Sequence, residues 1–194
     1  MPKANTDKRC RVLLIVCGLA LISVLFIPFW KISLDAPQYP EGLTLKIHAS
    51  KLSGDVEIIN GLNHYIGMKV IHENDFAAFK VLPYCIMALA FLFVVAGLLR
   101  KKLFTGAVFI FYILFSIGAM YYFWYWEYSY GHDLDPEAAI KVPGMAYQPP
   151  LIGYKQLLNF TAGSFPDIGG WIFIACGLIL LLCVFFGKKK KARY

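Results

Sequence analysis

Four uncharged apolar runs, each long enough to cross a lipid bilayer, dominate this sequence of 194 residues. A helix needs about 20 apolar residues to span the hydrocarbon core of a membrane. The runs cover about residues 12–30, 81–99, 103–126 and 169–187. Their length and lack of charge predict an all-α membrane protein, in which a bundle of four transmembrane helices makes the whole chain, 1–194, a single membrane domain.

Lysine and arginine are concentrated in three short segments beside these runs. The amino-terminal tail, the link between the second and third runs and the carboxyl-terminal tail hold 12 of the 19 basic residues. Because short cytoplasmic segments are enriched in lysine and arginine, this pattern predicts that both termini are cytoplasmic, in a bacterial inner membrane. The two longer segments, about 31–80 and 127–168, then form outer loops, and they contain all four histidines. Since the net charge of +7 reflects this topology, a nucleic-acid partner is not expected.

Both outer loops are predicted to be ordered. Apolar and polar residues alternate over 43–47, which predicts a strand, and a second short strand over 56–59 would complete a small β-hairpin at the membrane surface. Four prolines between residues 131 and 153 exclude long helices from the second loop. We expect that loop to pack onto the first, with a single helical turn at 156–160.

The stretch 60–73, N-G-L-N-H-Y-I-G-M-K-V-I-H-E, is the strongest candidate for a functional site. It contains two of the four histidines, with a methionine midway between them. Imidazole and thioether groups are ligands that copper accepts. Two further candidates come from the second loop. The predicted metal ligands are His64, Met68, His72, His132 and Met145.

Geometry limits how these residues could share one ion. On a helix, His64 and Met68 would lie on one face, because residues four apart are neighbours there. His64 and His72 are too far apart to pair along any regular element, so a site needs a turn at Gly67 or a ligand from the second loop. His48 is a further residue that could assist. The alternative is that each histidine binds backbone or water and each methionine packs in a core.

Aromatic residues crowd the end of the third run, between residues 121 and 130. Tyrosine and tryptophan accumulate where a helix leaves the membrane, and an enlarged interfacial girdle explains the cluster. Two other functions fit the same composition, a docking face for another membrane protein and a pocket for a quinone-like molecule.

Catalytic and transport functions are not expected. The loops contain carboxylates, but the chain lacks a serine or cysteine nucleophile motif, a zinc-binding H-E-x-x-H and a phosphate-binding glycine loop. Conducting paths normally place ionisable residues within the membrane, and the four runs carry no charged residue. The cysteines fall in the runs and the amino-terminal tail, which predicts small buried side chains rather than disulfides or thiol ligands.

Three loop motifs, G-L-N-H-Y-I-G-M, Y-G-H-D-L-D-P and P-G-M-A-Y-Q-P-P-L-I-G, lie in the outer loops of this four-span sequence. In these motifs and in its topology, the chain resembles the NosB-like membrane proteins encoded beside bacterial nitrous oxide reductases of the second clade. The resemblance implies a part in nitrous oxide respiration, either in maturing the copper enzyme or in passing electrons to it. It carries over no catalytic residue.

These observations lead to one hypothesis and two alternatives. The hypothesis is a non-enzymatic membrane accessory protein for the assembly or operation of a periplasmic copper-dependent respiratory enzyme. Its outer loops would bind a periplasmic or membrane partner, and copper as a cofactor. The alternatives are a structural subunit of a membrane respiratory complex and a quinone-binding electron-transfer protein.

Overall fold

The computed structural model describes residues 6–99 and 101–186, and over these ranges the chain forms five helices and five strands. Some of the basic residues that predict the orientation, including Lys3, Arg100 and those of the carboxyl-terminal tail, lie outside the described ranges. The helices are α1 (Lys8–Ser23), α2 (Val56–Tyr65), α3 (Ala77–Leu99), α4 (Lys102–His132) and α5 (Ile168–Phe186). The strands are β1 (Trp30–Ala36), β2 (Tyr39–Ile47), β3 (Leu52–Gly54), β4 (Gly153–Leu157) and β5 (Phe160–Pro166).

Three helices, α3, α4 and α5, are long and apolar enough to cross a membrane. The remaining predicted span, at residues 12–30, forms a shorter helix, because α1 has 16 residues and gives way to turns after Ser23. The prediction of helices long and apolar enough to span a membrane is therefore confirmed for three of the four runs. The all-α fold class is wrong, because the chain also builds a five-stranded antiparallel sheet.

The helix α1 packs between α3 and α5, and two glycines permit a close approach to α3. A Cβ atom on Gly18 would lie 2.8 Å from the carbonyl oxygen of Ala90, and one on Gly97 would lie 2.8 Å from that of Arg11. Small residues at such crossings let helix backbones approach within a membrane. Toward α5, the buried Cys17 and Cys176 are part of the same apolar core, which agrees with the packing role predicted for the cysteines.

The sheet joins the two long connections of the chain. The first connection links α1 to α3, and the second links α4 to α5. Its strand order is β3-β2-β1-β5-β4, and each neighbouring pair is antiparallel. In the central strand, Trp30 is the Cα partner of Ile47 on β2 and of Pro166 on β5. The Trp30 indole N–H also donates a hydrogen bond of 2.8 Å to the Ser164 hydroxyl. The predicted packing of the second loop onto the first is thus confirmed as strand pairing.

Two local predictions are wrong. Residues 56–59 begin the helix α2 rather than a strand, because Ile59 and Asn63 belong to one buried face at the four-residue spacing of a helix. The expected helical turn at 156–160 is a β-hairpin, in which Leu157 pairs with Phe160 across a two-residue turn. The strand expected at 43–47 is present as the second half of β2.

One end of the helix bundle carries the sheet, because α1 and α4 end there and α3 and α5 begin there. We call residues 30–76 and 127–166 the cap. At 1.5 Å per residue, the 31 residues of α4 measure about 46 Å, which exceeds the roughly 30 Å of a bilayer core. The last turns of α4, beyond the predicted span that ends at Trp126, therefore belong to the cap.

Replacement of Gly131 tests how the second connection docks on α4. The carbonyl of Gly131 accepts a hydrogen bond from the Tyr147 amide, and an added Cβ would lie 2.4 Å from the Gln148 backbone nitrogen. We expect Gly131→Ala to lower the free energy of unfolding by about 1–3 kcal/mol, measured by denaturation in detergent. In the same helix, Gly106 has open space around it, so Gly106→Ala should cost nothing. Equal effects of the two changes would contradict this docking.

Candidate functional site in the cap

Two asparagines fold the predicted site segment, 60–73, back on itself. The Asn60 side chain accepts a hydrogen bond of 2.8 Å from the Ile71 amide and donates one of 3.1 Å to the Ile71 carbonyl. The Asn63 carbonyl accepts a bond of 2.9 Å from the Met68 amide. Both asparagines are buried, so they stabilise the reversal after α2 rather than meeting a ligand from solvent.

The reversal after α2 contacts the second connection. We call this junction the clasp and define it by six residues, Tyr65, Gly67, Lys69, Asp133, Asp135 and Ile140. The Gly67 carbonyl accepts a hydrogen bond of 2.8 Å from the Asp135 amide, and the Tyr65 carbonyl accepts one of 2.9 Å from the Ile140 amide. The Lys69 ammonium forms an exposed ion pair with Asp133. Gly67 has a φ of +78°, which favours glycine, and its Cβ position lies 2.9 Å from the Ala138 Cβ.

Three of the predicted metal ligands lie on the segments that the clasp joins. His64 is exposed in the last turn of α2, and Met68 follows the turn at Gly67. His132 ends α4 and precedes Asp133, the partner of Lys69. The turn at Gly67 that a shared site would need is present. His64 and Met68 do not share a helix face, because α2 ends at Tyr65.

The surroundings of these side chains differ. Met68 is half-buried against the apolar cluster of the cap, as expected of a packing methionine. The His132 ring stacks on Tyr128 with a centroid distance of 4.0 Å, and its Nδ1 lies 3.0 Å from the Tyr128 carbonyl oxygen. Its other ring nitrogen, Nε2, is the one that remains available to a metal.

The remaining candidates lie outside the clasp. His72 is exposed and precedes a 3₁₀ turn at Glu73–Asp75, and Met145 is half-buried in a turn closed by its amide and the Val142 carbonyl. His48 is buried at the end of β2, where its Nε2 lies 2.9 Å from the Ser53 hydroxyl oxygen. Burial, and then the positive charge of Lys51, lower the pKa of His48.

Within residues 6–99 and 101–186, no three histidine, cysteine, aspartate or glutamate side chains form a group that could hold a metal ion. The ligand set predicted for copper is of another kind, because it combines imidazole with thioether. Of that set, His64, Met68 and His132 lie on the segments that the clasp joins.

The clasp also exposes apolar side chains. Tyr65 is 58% exposed and Ile140 is 48% exposed, and the backbones of these two residues are hydrogen-bonded. Val70 and Val142, which lie close to them in the chain, are exposed as well. Apolar side chains grouped on a polar rim mark surfaces at which proteins bind one another.

Beneath the clasp lies a cavity of about 300 Å³ that the sequence analysis did not anticipate. Its walls are mainly apolar. They come from β1, β2, α2, α4, β4 and β5 and from loop residues that include Met68, Ile140 and Tyr147. Glu127 of α4 lines this cavity and is 0% exposed, and among the described residues neither of its carboxyl oxygens has a hydrogen-bond partner. The Tyr147 hydroxyl, also buried in the cavity wall, has no partner within the described chain either.

Sequence reasoning missed Glu127 because it stands within an aromatic run, W-Y-W-E-Y-S-Y, that is typical of a membrane interface. One signal was present, since Glu127 is the one carboxylate between Asp75 and Asp133. A charge that remains in an apolar helix usually has a function.

Comparison of the chain with protein-family models, with curated proteins and with solved structures finds no match in any of the three. The geometry and chemistry of the cap are therefore the basis for assigning a function.

The buried carboxyl group of Glu127 predicts a pH-dependent stability. Burial raises its pKa from 4.5 to about 8. Between these values the folded protein retains a proton that the unfolded chain releases, so folding becomes less favourable as the pH rises from about 4.5 to about 8. We expect the midpoint of thermal unfolding of Glu127→Leu, relative to that of the wild type, to rise over this range.

The lowered pKa of His48 makes folding more favourable as the pH rises in the acidic range. Both proteins share this contribution, so it cancels in the difference between their unfolding midpoints. Glu41 is exposed on β2, so Glu41→Leu should show the pH dependence of the wild type. Parallel melting curves of Glu127→Leu and the wild type across this range would contradict the buried, protonated carboxyl group.

Proposed function

We propose that this protein is a membrane-anchored, non-enzymatic accessory protein whose cap binds a partner protein. In this proposal α1 completes a four-span bundle with α3, α4 and α5, since it packs between α3 and α5. The concentration of lysine and arginine in the tails and the link 100–102 supports cytoplasmic termini. The cap would then face the outer side of a bacterial inner membrane.

The clasp is the observation that carries the proposal. Two connections that are far apart in sequence meet there through paired backbone hydrogen bonds, so the surface is ordered before a partner binds. A preorganised surface loses less entropy on binding than flexible loops do. The exposed Tyr65 and Ile140 supply the apolar centre of such a surface, and the Lys69–Asp133 pair supplies its polar rim.

The loop motifs that resemble NosB-like proteins support a role in nitrous oxide respiration. They include His64 and Met68 in the first connection and His132 in the second, and the clasp joins these segments. We propose that these side chains contribute to a copper site at the interface with the partner, with His72 and Met145 as further ligands. The partner in this proposal is a periplasmic or membrane-bound copper enzyme.

A second candidate function, a structural subunit of a respiratory complex, is favoured by α4. Beyond the middle of this helix, large aromatic side chains point outward in the isolated chain. Tyr121, Trp124, Tyr125 and Tyr128 are each between 39% and 64% exposed. Such a face can contact another membrane protein as readily as lipid headgroups. In this function, replacing Trp124 would disturb assembly and replacing Tyr65 would not.

Two glycines of the cap offer a matched test of partner binding. Gly67 and Gly144 both have φ near +75°, but an added Cβ meets close neighbours at Gly67 and open space at Gly144. Affinity purification from native membranes, followed by mass spectrometry, should recover a partner with the wild type and with Gly144→Ala. Recovery with Gly67→Ala should fall several-fold, because the clasp must open. Equal recovery with all three proteins would contradict the proposed surface.

Copper binding is tested separately. Titration of the purified protein with Cu(I) and a competing chelator should detect one site that weakens by about 10-fold or more in His64→Ala and Met68→Ala, as expected when one ligand of a metal is lost. Replacement of His48, which is buried near Ser53, is the control and should leave the affinity unchanged. Wild-type copper affinity in both His64→Ala and Met68→Ala would exclude these ligands.

A further inference from the structure

Two cavities meet at one tryptophan. The cavity of about 300 Å³ inside the cap, which we call the upper cavity, and a second one of about 360 Å³, the crevice, both have Trp126 in their walls. The crevice lies between α3 and α4 and its walls are apolar. Val81 and Tyr122, which line it, are exposed, so the crevice opens on the surface that faces lipid.

The upper cavity contains unused hydrogen-bonding capacity. Glu127 and Tyr147 line it, and their side-chain oxygens have no partner among residues 6–99 and 101–186. Burying polar groups without partners is unfavourable, so in a native structure such groups in one cavity are satisfied by water or by a ligand that occupies it. Tyr147 donates through its hydroxyl group, and Glu127 also donates when it is protonated.

The charge of the cavity restricts the ligand. The described walls of the upper cavity contain no lysine, arginine or histidine to balance an anion. A phosphate headgroup would therefore lie beside Glu127 without a cation, which disfavours phospholipids. Burial favours the protonated form of Glu127, so an organic cation would have to ionise the carboxyl group first. A neutral ligand with hydrogen-bond acceptors needs no such step.

The shape of the two cavities restricts the ligand further. Tyr39, Tyr130 and Phe160 give the upper cavity aromatic walls, against which a flat ring can pack. The crevice offers an apolar path from Trp126 toward the lipid. A suitable ligand has a flat neutral head with acceptors and a long apolar tail, and this is the chemical class of the isoprenoid quinones.

We propose that the upper cavity and the crevice together form a binding site for a membrane quinone. The ring occupies the upper cavity, where its carbonyl oxygens accept hydrogen bonds from Glu127 and Tyr147. The tail passes Trp126 into the crevice between α3 and α4. Tyr65 and Ile140 of the clasp also line the upper cavity, so the ring lies directly beneath the proposed partner surface. The hydrogen bonds to the quinone come from Glu127 and Tyr147, which do not belong to the clasp.

The test is quenching of tryptophan fluorescence when the full chain in detergent is titrated with decylubiquinone. The wild type should bind this quinone saturably. Loss of one hydrogen bond in Tyr147→Phe should weaken binding by about 3- to 10-fold, and Glu127→Leu should weaken it by about 10-fold or more. The matched controls, Tyr154→Phe and Glu41→Leu, change exposed residues outside the cavity walls and should bind as the wild type does.

A second pair of variants tests the tail. Gly118 lines the crevice and has open space for a side chain, so Gly118→Leu should fill the crevice. It should weaken decylubiquinone by about 5-fold or more while leaving the same quinone ring without its tail unaffected, since only the tail loses apolar contact. Gly106→Leu, on the same helix but outside the crevice lining, should affect neither ligand.

Thermal melting of each variant shows whether it is folded. Glu127→Leu should remain folded, because it removes a buried polar group without a partner. The proposal is overturned if the wild type does not bind decylubiquinone saturably. It is equally overturned if folded Glu127→Leu and Tyr147→Phe bind it with wild-type affinity, or if Gly118→Leu and Gly106→Leu bind it equally well.

Discussion

Pairing of β1 with β5 is the contact on which the rest of the cap depends. The first strand follows α1 after a short turn and the last strand ends one residue before α5, so their pairing fixes α1 and α5 side by side. The contact continues below the sheet, where the Asp167 amide donates to the Phe29 carbonyl and the Gly169 amide donates to the Pro28 carbonyl. A Cβ on Gly170 would lie 2.4 Å from the Phe29 carbonyl oxygen, so this approach requires a glycine.

The long apolar helices could be predicted from the sequence and the five-stranded sheet could not, for a physical reason. Length and charge within one run decide whether a helix can cross a bilayer, and both are local properties. The partner of β1 lies about 130 residues away, and its own sequence, F-T-A-G-S-F-P, is rich in small residues without clear alternation. Val56 to Ile59 resembled a strand because it is short and β-branched, although the helical face becomes clear once Asn63 is included.

The candidate site was predicted in part. The stretch 60–73 does lie where the two connections meet, and the need for a turn at Gly67 followed from spacing alone. The two hydrogen bonds between the Asn60 side chain and the Ile71 backbone could not be predicted, because an asparagine in a loop motif has many possible partners. Glu127 was missed for a related reason. Its isolation is visible in the sequence, but its burial depends on strands contributed by both connections.

The upper cavity lies between the sheet and α4, whose separation is set by contacts of Trp30. Trp30 of β1 donates a hydrogen bond to Ser164 of β5 within the sheet. It also packs against Phe123 of α4 at a ring centroid distance of 5.4 Å. One turn further along α4, Glu127 is directed into the space that this spacing leaves under β1 and β2. A leucine there would remove the unpartnered carboxyl group and favour folding. A carboxyl group at this position donates a hydrogen bond in the proposed quinone site, whereas packing alone gives it no partner among the described residues.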